Sequence, residues 1–206
     1  MKASERLRHA VTSLLGRRNL KISDFSAVLD FGCGCGRILR NFHSVPGTRF
    51  YGTDYNPDLV QWCQENLPFA EFGVNQLEPP LSYPGGMFGF VYAFSVFTHL
   101  PVSLQIPWAQ ELWRVLEPGG YLHITVHGDE CVKALLSEVQ RERFDNGELI
   151  VVAEDRAGAN QCTAFHPQQY VRSVLTAVGF EVLEFNYGRD FGDYIDHDMY
   201  LFRKLA

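Results

Sequence analysis

Residues 28–37 read Val28-Leu29-Asp30-Phe31-Gly32-Cys33-Gly34-Cys35-Gly36-Arg37, an apolar run that breaks into three glycines at alternate positions. The apolar part has the composition of a buried strand, and the segment after the glycines is typical of a helix. Glycine permits backbone conformations closed to other residues and lets a ligand approach the main chain directly. The pattern therefore predicts a strand, a ligand-binding loop and a helix, which is nucleotide-binding architecture.

A carboxylate ends the second predicted strand, Phe50-Tyr51-Gly52-Thr53-Asp54. It follows the glycines by about twenty residues, the spacing at which an acid recognises a nucleoside ribose. Its rival role is to cap the next helix, but Asn56 followed by Pro57 already supplies an N-cap residue and a first-turn proline. We therefore predict that Asp54 accepts hydrogen bonds from a ribose.

The glycines depart from the dinucleotide fingerprint G-x-G-x-x-G, because Arg37 stands where the third glycine is required. Together these segments resemble the class I S-adenosylmethionine-dependent methyltransferases, whose loop has the form D-x-G-x-G-x-G. The matching residues here are Asp30, Gly32, Gly34 and Gly36, followed by Asp54. Residues 87–100 look like the family's fourth strand and following loop, and residues 116–121 like its turn into the fifth strand.

The resemblance implies an α/β fold: a Rossmann-like, seven-stranded methyltransferase sheet flanked by helices, parallel except for its last strand. We expect a single domain over residues 1–206. Strands are predicted near residues 27–31, 49–53, 70–74, 88–94, 120–126, 180–186 and 197–203. Helices are predicted near residues 37–43, 57–66, 106–116 and 167–178.

The resemblance also implies S-adenosylmethionine as cofactor and S-adenosylhomocysteine as product. Ligands of such sheets bind beyond the carboxyl ends of the strands, where the strand order reverses, and in this family that point lies between strands one and four. Asn75 takes the place where the family usually has an acid against the adenine amino group. The candidate cofactor-binding residues are Asp30, Gly32, Cys33, Gly34, Gly36, Asp54, Tyr55, Asn75, Gln76, Leu77, Phe94 and Ser95.

The implied reaction is an in-line displacement, in which most of the rate enhancement comes from alignment of the reacting atoms. A general base is needed only when the nucleophile arrives protonated. His99, His127 and His166 lie in loops next to strand ends or before a helix, and His99 is the first choice for the base. A histidine in such a loop also suits a structural role, bonding backbone carbonyls. The remaining histidines are interpreted as surface or structural residues: His9, His43, His123 and His197.

Residues 128–165 have no counterpart in the resemblance. We predict a substrate lid that overhangs the methyl group, because long connections in compact domains are usually functional. Residues 131–139 look helical, 148–153 look like a strand and 155–161 like a loop. The segment has no motif for one acceptor chemistry, so the expected partner is a small-molecule methyl acceptor, with oxygen ahead of nitrogen.

The net charge of −6 is distributed unevenly along the chain. The first 21 residues carry six basic side chains against Glu5 alone, so the remaining body is distinctly acidic. An acidic surface repels a phosphate backbone, which argues against nucleic acid as a partner. Within residues 1–24, Leu7, Val11, Leu14 and Leu15 share one helical face. That face suits either a targeting or membrane-surface segment or a helix that docks on the sheet or the cofactor mouth.

The longest apolar run, residues 87–97, is about half the length needed to span a bilayer, so we expect no membrane association. The five cysteines form no C-x-x-C pair, which argues against a disulfide framework and against a metal site. A cytoplasmic monomer or homodimer is the expectation.

Two other function classes compete with a methyltransferase. A catalytically silent module would bind S-adenosylmethionine or its product as the regulatory subunit of a partner. A nicotinamide dehydrogenase is disfavoured by Arg37 in place of the third glycine.

Overall fold

The computed structural model describes residues 3–158, 161–189, 191 and 195–205. Within these ranges the strands are β1 (Ala27–Phe31), β2 (Arg49–Asp54), β3 (Ala70–Val74), β4 (Phe88–Ala93), β5 (Leu116–Val126), β6 (Ile150–Val152), β7 (Thr163–Phe165), β8 (Phe180–Asn186) and β9 (Asp198–Lys204). The α-helices are α1 (Ala3–Arg17), α2 (Pro57–Asn66), α3 (Val102–Val115), α4 (Asp129–Leu135), α5 (Glu138–Asp145) and α6 (Gln168–Val178).

Seven of the described strands form one sheet in the order β3-β2-β1-β4-β5-β9-β8. Its neighbours pair in parallel except where β9 runs antiparallel to β5 and β8. The predicted fold class is confirmed. The strand order reverses between β1 and β4, so a crevice is expected beyond their carboxyl ends.

The sheet is covered on both faces, which explains why β1 and β4 are buried at every position. Successive side chains of a strand point to opposite faces. Leu29 and Phe31 pack in one core with α3 and α6, whereas Val28 packs in the other with α1. Two-sided burial makes these strands near-continuous apolar runs, the pattern from which they were predicted.

Helix α1 docks on the sheet, as one of the two interpretations of the amino-terminal segment predicts. Its apolar stripe of Val11, Leu14 and Leu15 is fully buried, while the side chain of Leu7 lies outside the description. Among the described residues, no helix has the length and apolar character to cross a membrane.

The predicted helix over residues 37–43 is wrong, because the chain makes turns and then a short 3-10 helix, Leu39–Phe42. Nearby side chains bond to carbonyls of this segment, although the N–H of Arg40 still donates to the carbonyl of Gly36 at 3.0 Å. Arg40 donates to the carbonyls of Cys35 and Gly36, and Asn41 donates to those of Arg37 and Ile38. Such local bonds compete with helix formation.

Helix α3 begins four residues before the predicted start at residue 106, since it accommodates Pro107 in its interior. Proline removes the hydrogen bond to the carbonyl of Ser103, an exposed residue whose carbonyl water can serve.

The segment over residues 128–165 folds as two helices and a hairpin of β6 with β7. The single helix predicted over residues 131–139 is divided because Ser137 caps α5, accepting from the backbone N–H of Gln140. Strand β6 lies within the predicted range 148–153, and of the predicted loop, residues 159 and 160 lie outside the described residues.

Candidate active site

The glycine loop is held by backbone bonds at the end of β1. The N–H groups of Gly32 and Cys33 both donate to the carbonyl of Thr53, at 2.8 and 3.0 Å. Gly32 and Gly34 adopt φ values of +75° and +52°, in the left-handed region that favours glycine. A Cβ on Gly32 would lie 2.4 Å from Val96 Cγ2, whereas a Cβ on Gly34 would meet nothing within 4 Å. The loop is therefore packed at Gly32 and open at Gly34.

Asp54 connects this loop to the end of β2. Its Oδ2 accepts from the N–H of Gly34 at 2.8 Å, and its Oδ1 accepts from the N–H of Asn56 at 2.9 Å. Asn56 caps α2 by accepting from the N–H groups of Asp58 and Leu59. Each carboxylate oxygen of Asp54 retains capacity for a further donor. Asp54 thus positions the loop and still presents acceptors to a ligand.

A cavity of about 480 Å³, which we call the first cavity, lies beyond the ends of β1 and β4. Nine of the twelve predicted cofactor residues line it: Gly32, Gly34, Asp54, Tyr55, Asn75, Gln76, Leu77, Phe94 and Ser95. The remainder of its wall is mainly apolar, with Phe31, Leu100 and Trp108 among the lining residues. The loop after β4 therefore faces the glycine loop across this space.

Asp30, Cys33 and Gly36 do not line the first cavity. Asp30 is 2% exposed, and burial raises the pKa of its carboxyl to about 8, although the Tyr92 hydroxyl acts in the opposite direction. The Cys33 thiol donates to the carbonyl of Gly34 at 3.6 Å, and burial raises its pKa. A Cβ on Gly36 would lie 2.4 Å from Leu67 Cδ1. These three residues contact other parts of the protein and support the loop on the side away from the first cavity.

The Asn75 side chain lies at the cavity edge but is engaged within the protein. Its Nδ2 donates to the carbonyl of Gln76 at 2.7 Å, and its Oδ1 lies 2.8 Å from the Thr53 hydroxyl. These bonds hold the end of β3 against β2.

The three histidines predicted as candidate bases occupy different environments. His99 lines the first cavity, and its Nδ1 lies 2.8 Å from the carbonyl of Cys162. His127 Nδ1 lies 3.2 Å from the carbonyl of Ala164, and burial lowers the pKa of this imidazole to about 4. Because a carbonyl only accepts, Nδ1 carries the proton in both rings and leaves the Nε2 lone pair available.

His166 is 2% exposed and lies 3.1 Å, through Nε2, from the side-chain oxygen of Gln105. Burial lowers its pKa to about 3, and it lines neither described cavity. The ring is enclosed in the core, and its role as a base stays a prediction.

His197, expected to be a surface or structural residue, belongs to the site. Its Nδ1 lies 3.2 Å from Ser95 Oγ and 3.3 Å from Thr125 Oγ1, and its ring centroid lies 4.5 Å from that of His127. Burial lowers its pKa to about 3, so the imidazole is neutral at pH 7. The sequence signal that could have found it is the direction of the last strand. Because β9 is antiparallel, its first residues lie at the same edge of the sheet as the last residues of the parallel strands, and His197 directly precedes β9.

A second cavity of about 870 Å³ adjoins the first. It lies between α1 and the connection from β8 to β9, with lining residues that include Ser13, Tyr187 and His197. Phe94 and Ser95 line both cavities, so the two spaces adjoin at these residues. Ser95 has a φ of +57°, and its N–H donates to Thr125 Oγ1 at 2.8 Å. Non-glycine residues in this conformation concentrate at functional sites.

A family profile described as a methyltransferase domain matches residues 2–185, most of the chain. The chain belongs to the class I S-adenosylmethionine-dependent methyltransferases. Sterol 24-C-methyltransferase erg6 of Schizosaccharomyces pombe is 31% identical to this methyltransferase over 100 residues, 46% of the chain. The match spans about a quarter of that relative's length, 26%.

Solved methyltransferase structures share the fold. A methyltransferase from Methanosarcina mazei is 20% identical, with a TM-score of 0.72 over 93% of this chain and 97% of the other. The 1,6-didemethyltoxoflavin-N1-methyltransferase of Burkholderia thailandensis, bound to its substrate and S-adenosylhomocysteine, is 15% identical. Its TM-score is 0.70, over 99% of this methyltransferase and 80% of the other chain.

As a class I methyltransferase, the protein uses S-adenosylmethionine, and the residues of the first cavity suit it. The space open above Gly34 would be filled by any larger side chain, and Asp54 presents carboxylate oxygens beside it. In the described part of the chain, no group of three or more histidine, cysteine or acidic residues is arranged to hold a metal ion.

Proposed function

We propose that this methyltransferase methylates a small molecule held in the second cavity. Oxygen is the proposed acceptor atom, ahead of nitrogen. The observation that carries the proposal is that the two cavities adjoin at Phe94 and Ser95. The cofactor supplies an electrophilic methyl group, so the acceptor atom must lie close to this junction. An acceptor in the second cavity would reach it from the side opposite the glycine loop.

The polar groups at the junction favour a hydroxyl acceptor. Ser95, Thr125 and His197 present two hydroxyls and an imidazole whose lowered pKa keeps it neutral at pH 7. A neutral imidazole nitrogen accepts a hydrogen bond from an alcohol or phenol and so orients its oxygen toward the methyl group. An amine that arrives as an ammonium ion is better served by carboxylates, and Asp196 is the sole acid in the described lining of this cavity.

His99 and His127 take separate places in this scheme. His99 lines the first cavity alone, whereas His127 lies behind His197 with its ring against Phe165. We therefore assign to His197 the hydrogen bonding that orients the acceptor hydroxyl, and a positioning role to His127. His99 is assigned to the wall of the cofactor cavity.

The segment over residues 128–165 is proposed as a cover for the cofactor. Gly158 donates its N–H to the carbonyl of His99 at 2.8 Å, and Gly158 and Gln161 line the first cavity. Neither lines the described part of the second cavity. This arrangement favours a lid over the cofactor side of the site, where the sequence predicts it above the methyl group.

The catalytically silent alternative is less well supported. A silent module would be favoured by an occluded acceptor space or by a junction without polar groups. Here the second cavity is open to solvent through exposed residues such as His9 and Arg189, and the junction has hydroxyls and an imidazole.

The first experiment is calorimetric titration of the purified protein with S-adenosylmethionine, S-adenosylhomocysteine and NAD. We expect both sulfur compounds to bind and NAD not to bind. Asp54→Ala removes ribose acceptors together with two bonds to the loop, so affinity for S-adenosylhomocysteine should fall about tenfold to a hundredfold. Asp58→Ala, at an exposed acid on α2, is the matched control and should leave affinity unchanged.

Methyl release is then measured against matched panels of phenols, alcohols and amines. Turnover of the hydroxyl compounds would support the proposal, and turnover restricted to amines would contradict the preference for oxygen. A protein that retains neither sulfur compound at millimolar excess would contradict the enzymatic role itself.

A further inference from the structure

The second cavity concentrates positive charge on a protein whose net charge is −6. Its described lining includes Arg6, Arg17 and Arg189 but a single acid, Asp196. Two of these arginines come from α1, the basic segment that the sequence singles out, and the third comes from the connection between β8 and β9. Cations that converge on a cleft from separate elements favour anionic ligands.

Arg189 is held at the rim of this cavity. Its carbonyl accepts the N–H of Asp196 at 2.9 Å, and the N–H of Gly188 donates to the buried carboxylate of Asp198 at 2.8 Å. The guanidinium lies 5.1 Å from the ring centroid of Phe191. Arg189 forms no salt bridge within the described residues. A positioned guanidinium beside an aromatic ring is suited to a planar anion.

Arg17 occupies the other side of the rim. Its Nη2 donates to Asn186 Oδ1 at 3.2 Å, and its Nη1 lies 3.8 Å from a Glu184 carboxylate oxygen. Its side chain is 48% exposed, and Arg18 lies closer to the same carboxylate at 3.5 Å. The long contact leaves Arg17 with donors for a further anion, since a guanidinium has five N–H groups.

The second cavity is also lined by apolar and aromatic side chains, beside polar groups such as those of Ser13 and Asn186. The apolar and aromatic side chains along it are Ala10, Phe94, Tyr187, Phe191, Ile195 and Met199. A volume of about 870 Å³ accommodates a ring system together with an ionic group. The described lining thus combines arginines, apolar and aromatic side chains, and the neutral hydrogen-bonding groups of Ser95, Thr125 and His197.

We propose that the second cavity selects small organic acids with an aromatic or aliphatic body. The acid group binds between Arg17 and Arg189, and the hydroxyl to be methylated points inward to Ser95 and His197. The identity of this substrate class rests on the proposed function, but binding of an anion in the cavity does not.

The test uses two fluorescent probes of one shape, 8-anilinonaphthalene-1-sulfonate and its uncharged counterpart N-phenyl-1-naphthylamine. Both are titrated into protein saturated with S-adenosylhomocysteine. We expect the sulfonate to bind more tightly and its affinity to weaken as salt is raised, while the neutral probe is unaffected by salt.

Substitutions then locate the charge. Arg189→Gln and Arg17→Gln should each weaken the sulfonate about threefold to tenfold and leave the neutral probe unchanged. Arg49→Gln, at an exposed arginine at the start of β2, is the control and should change neither probe. Ser13→Trp, which places an indole on the lining of the second cavity, should weaken both probes.

The outcomes separate the two proposals. Failure of S-adenosylhomocysteine to bind would contradict the proposed function alone, because the probes can still be titrated without it. Normal cofactor binding, with the sulfonate no tighter than the neutral probe or insensitive to both arginine substitutions, would overturn the selection of acids. An equal effect of Arg49→Gln would overturn it too, because the charge dependence would then be general.

Discussion

The two cavities are built in different ways. The first includes the glycine loop and residues at the ends of β1 to β4, with Gly34 and Asp54 joined directly by a hydrogen bond. The second is formed by side chains from the two ends of the chain, α1 and the connection between β8 and β9. Glycines and an acid at a set spacing can therefore encode the cofactor site, whereas the acceptor site depends on side chains that the fold gathers from distant positions.

The largest expected effect is the loss of cofactor binding in the first cavity. Gly34→Val fills the space above the loop, and we expect it to abolish detectable binding of S-adenosylhomocysteine in calorimetry. Gly47→Val is the matched control, because Gly47 also has positive φ, +78°, and open space around its Cβ position. Both substitutions carry a similar backbone cost of about 1–2 kcal/mol. Equal loss of binding in the control would show that strain, not cofactor exclusion, is responsible.

A second substitution acts on the acceptor side. His197→Gln removes the imidazole that is proposed to orient the acceptor hydroxyl, so kcat should fall by about tenfold while affinity for S-adenosylhomocysteine is retained. His99→Gln, on the wall of the first cavity, should instead weaken the affinity for S-adenosylhomocysteine. Steady-state kinetics with an identified acceptor, combined with calorimetry, distinguishes the two. A His197→Gln enzyme with normal kcat and a normal pH profile would assign His197 a structural role.

The ionisable groups near the two cavities also change the free energy of unfolding with pH in opposite directions. Burial raises the pKa of Asp30, below the glycine loop, from 3.8 to about 8. The folded state therefore favours the protonated acid, and its contribution to stability is lost as pH rises through about 8. Burial lowers the pKa values of His127 and His197 from 6.5 to about 4 and about 3. Their contribution is present above pH 6.5 and is lost as pH falls below it.

Urea unfolding between pH 5 and 8.5 measures this difference. Asp30→Asn should flatten the decline in the free energy of unfolding between pH 6.5 and 8 by roughly 1–2 kcal/mol, since each pKa unit corresponds to about 1.4 kcal/mol. His197→Gln should flatten the decline below pH 6.5. If each variant keeps the slope of the wild-type protein in its own range, the cited groups do not control the pH dependence.

The smallest expected effect concerns the proposed cover. A Cβ on Gly158 would lie 2.9 Å from Leu77 Cδ1 and 3.5 Å from the Tyr55 ring, and the residue has a φ of +77°. Gly158→Ala should therefore displace the cover and weaken S-adenosylhomocysteine about threefold, an effect of about 0.6 kcal/mol. Binding of the anionic probe in the second cavity should stay unchanged. A weaker probe with an unchanged cofactor would place the cover over the acceptor.

The sheet was predictable because its strands bury both faces. Continuous apolar runs such as residues 88–93 indicate such strands directly, and the predicted strands of the main sheet are all present. The segment after the glycines was not predictable in the same way. Arg40 and Asn41 favour a helix as much as a turn in sequence, and the choice depended on which carbonyls their side chains reach.

The residues of the candidate site differ in the same way in how far the sequence predicts them. Gly32, Gly34 and Asp54 were predicted because their chemistry is local: a positive φ, an open main chain and a carboxylate at a strand end. For His166 and His197, nothing in the neighbouring sequence tells which ring is enclosed in the core and which lines a cavity. Burial of a single side chain is a property of the packed molecule.

The sequence by itself therefore determined the sheet, the glycine loop and its acid, since hydrophobic periodicity and backbone conformation act over a few residues. The tertiary structure alone decided which side chains meet at Ser95, and it placed Arg17 and Arg189 around one cavity although 172 positions separate them in the chain. The physical reason is that contacts between distant residues follow from the packing of whole elements against the sheet. No local pattern records that packing.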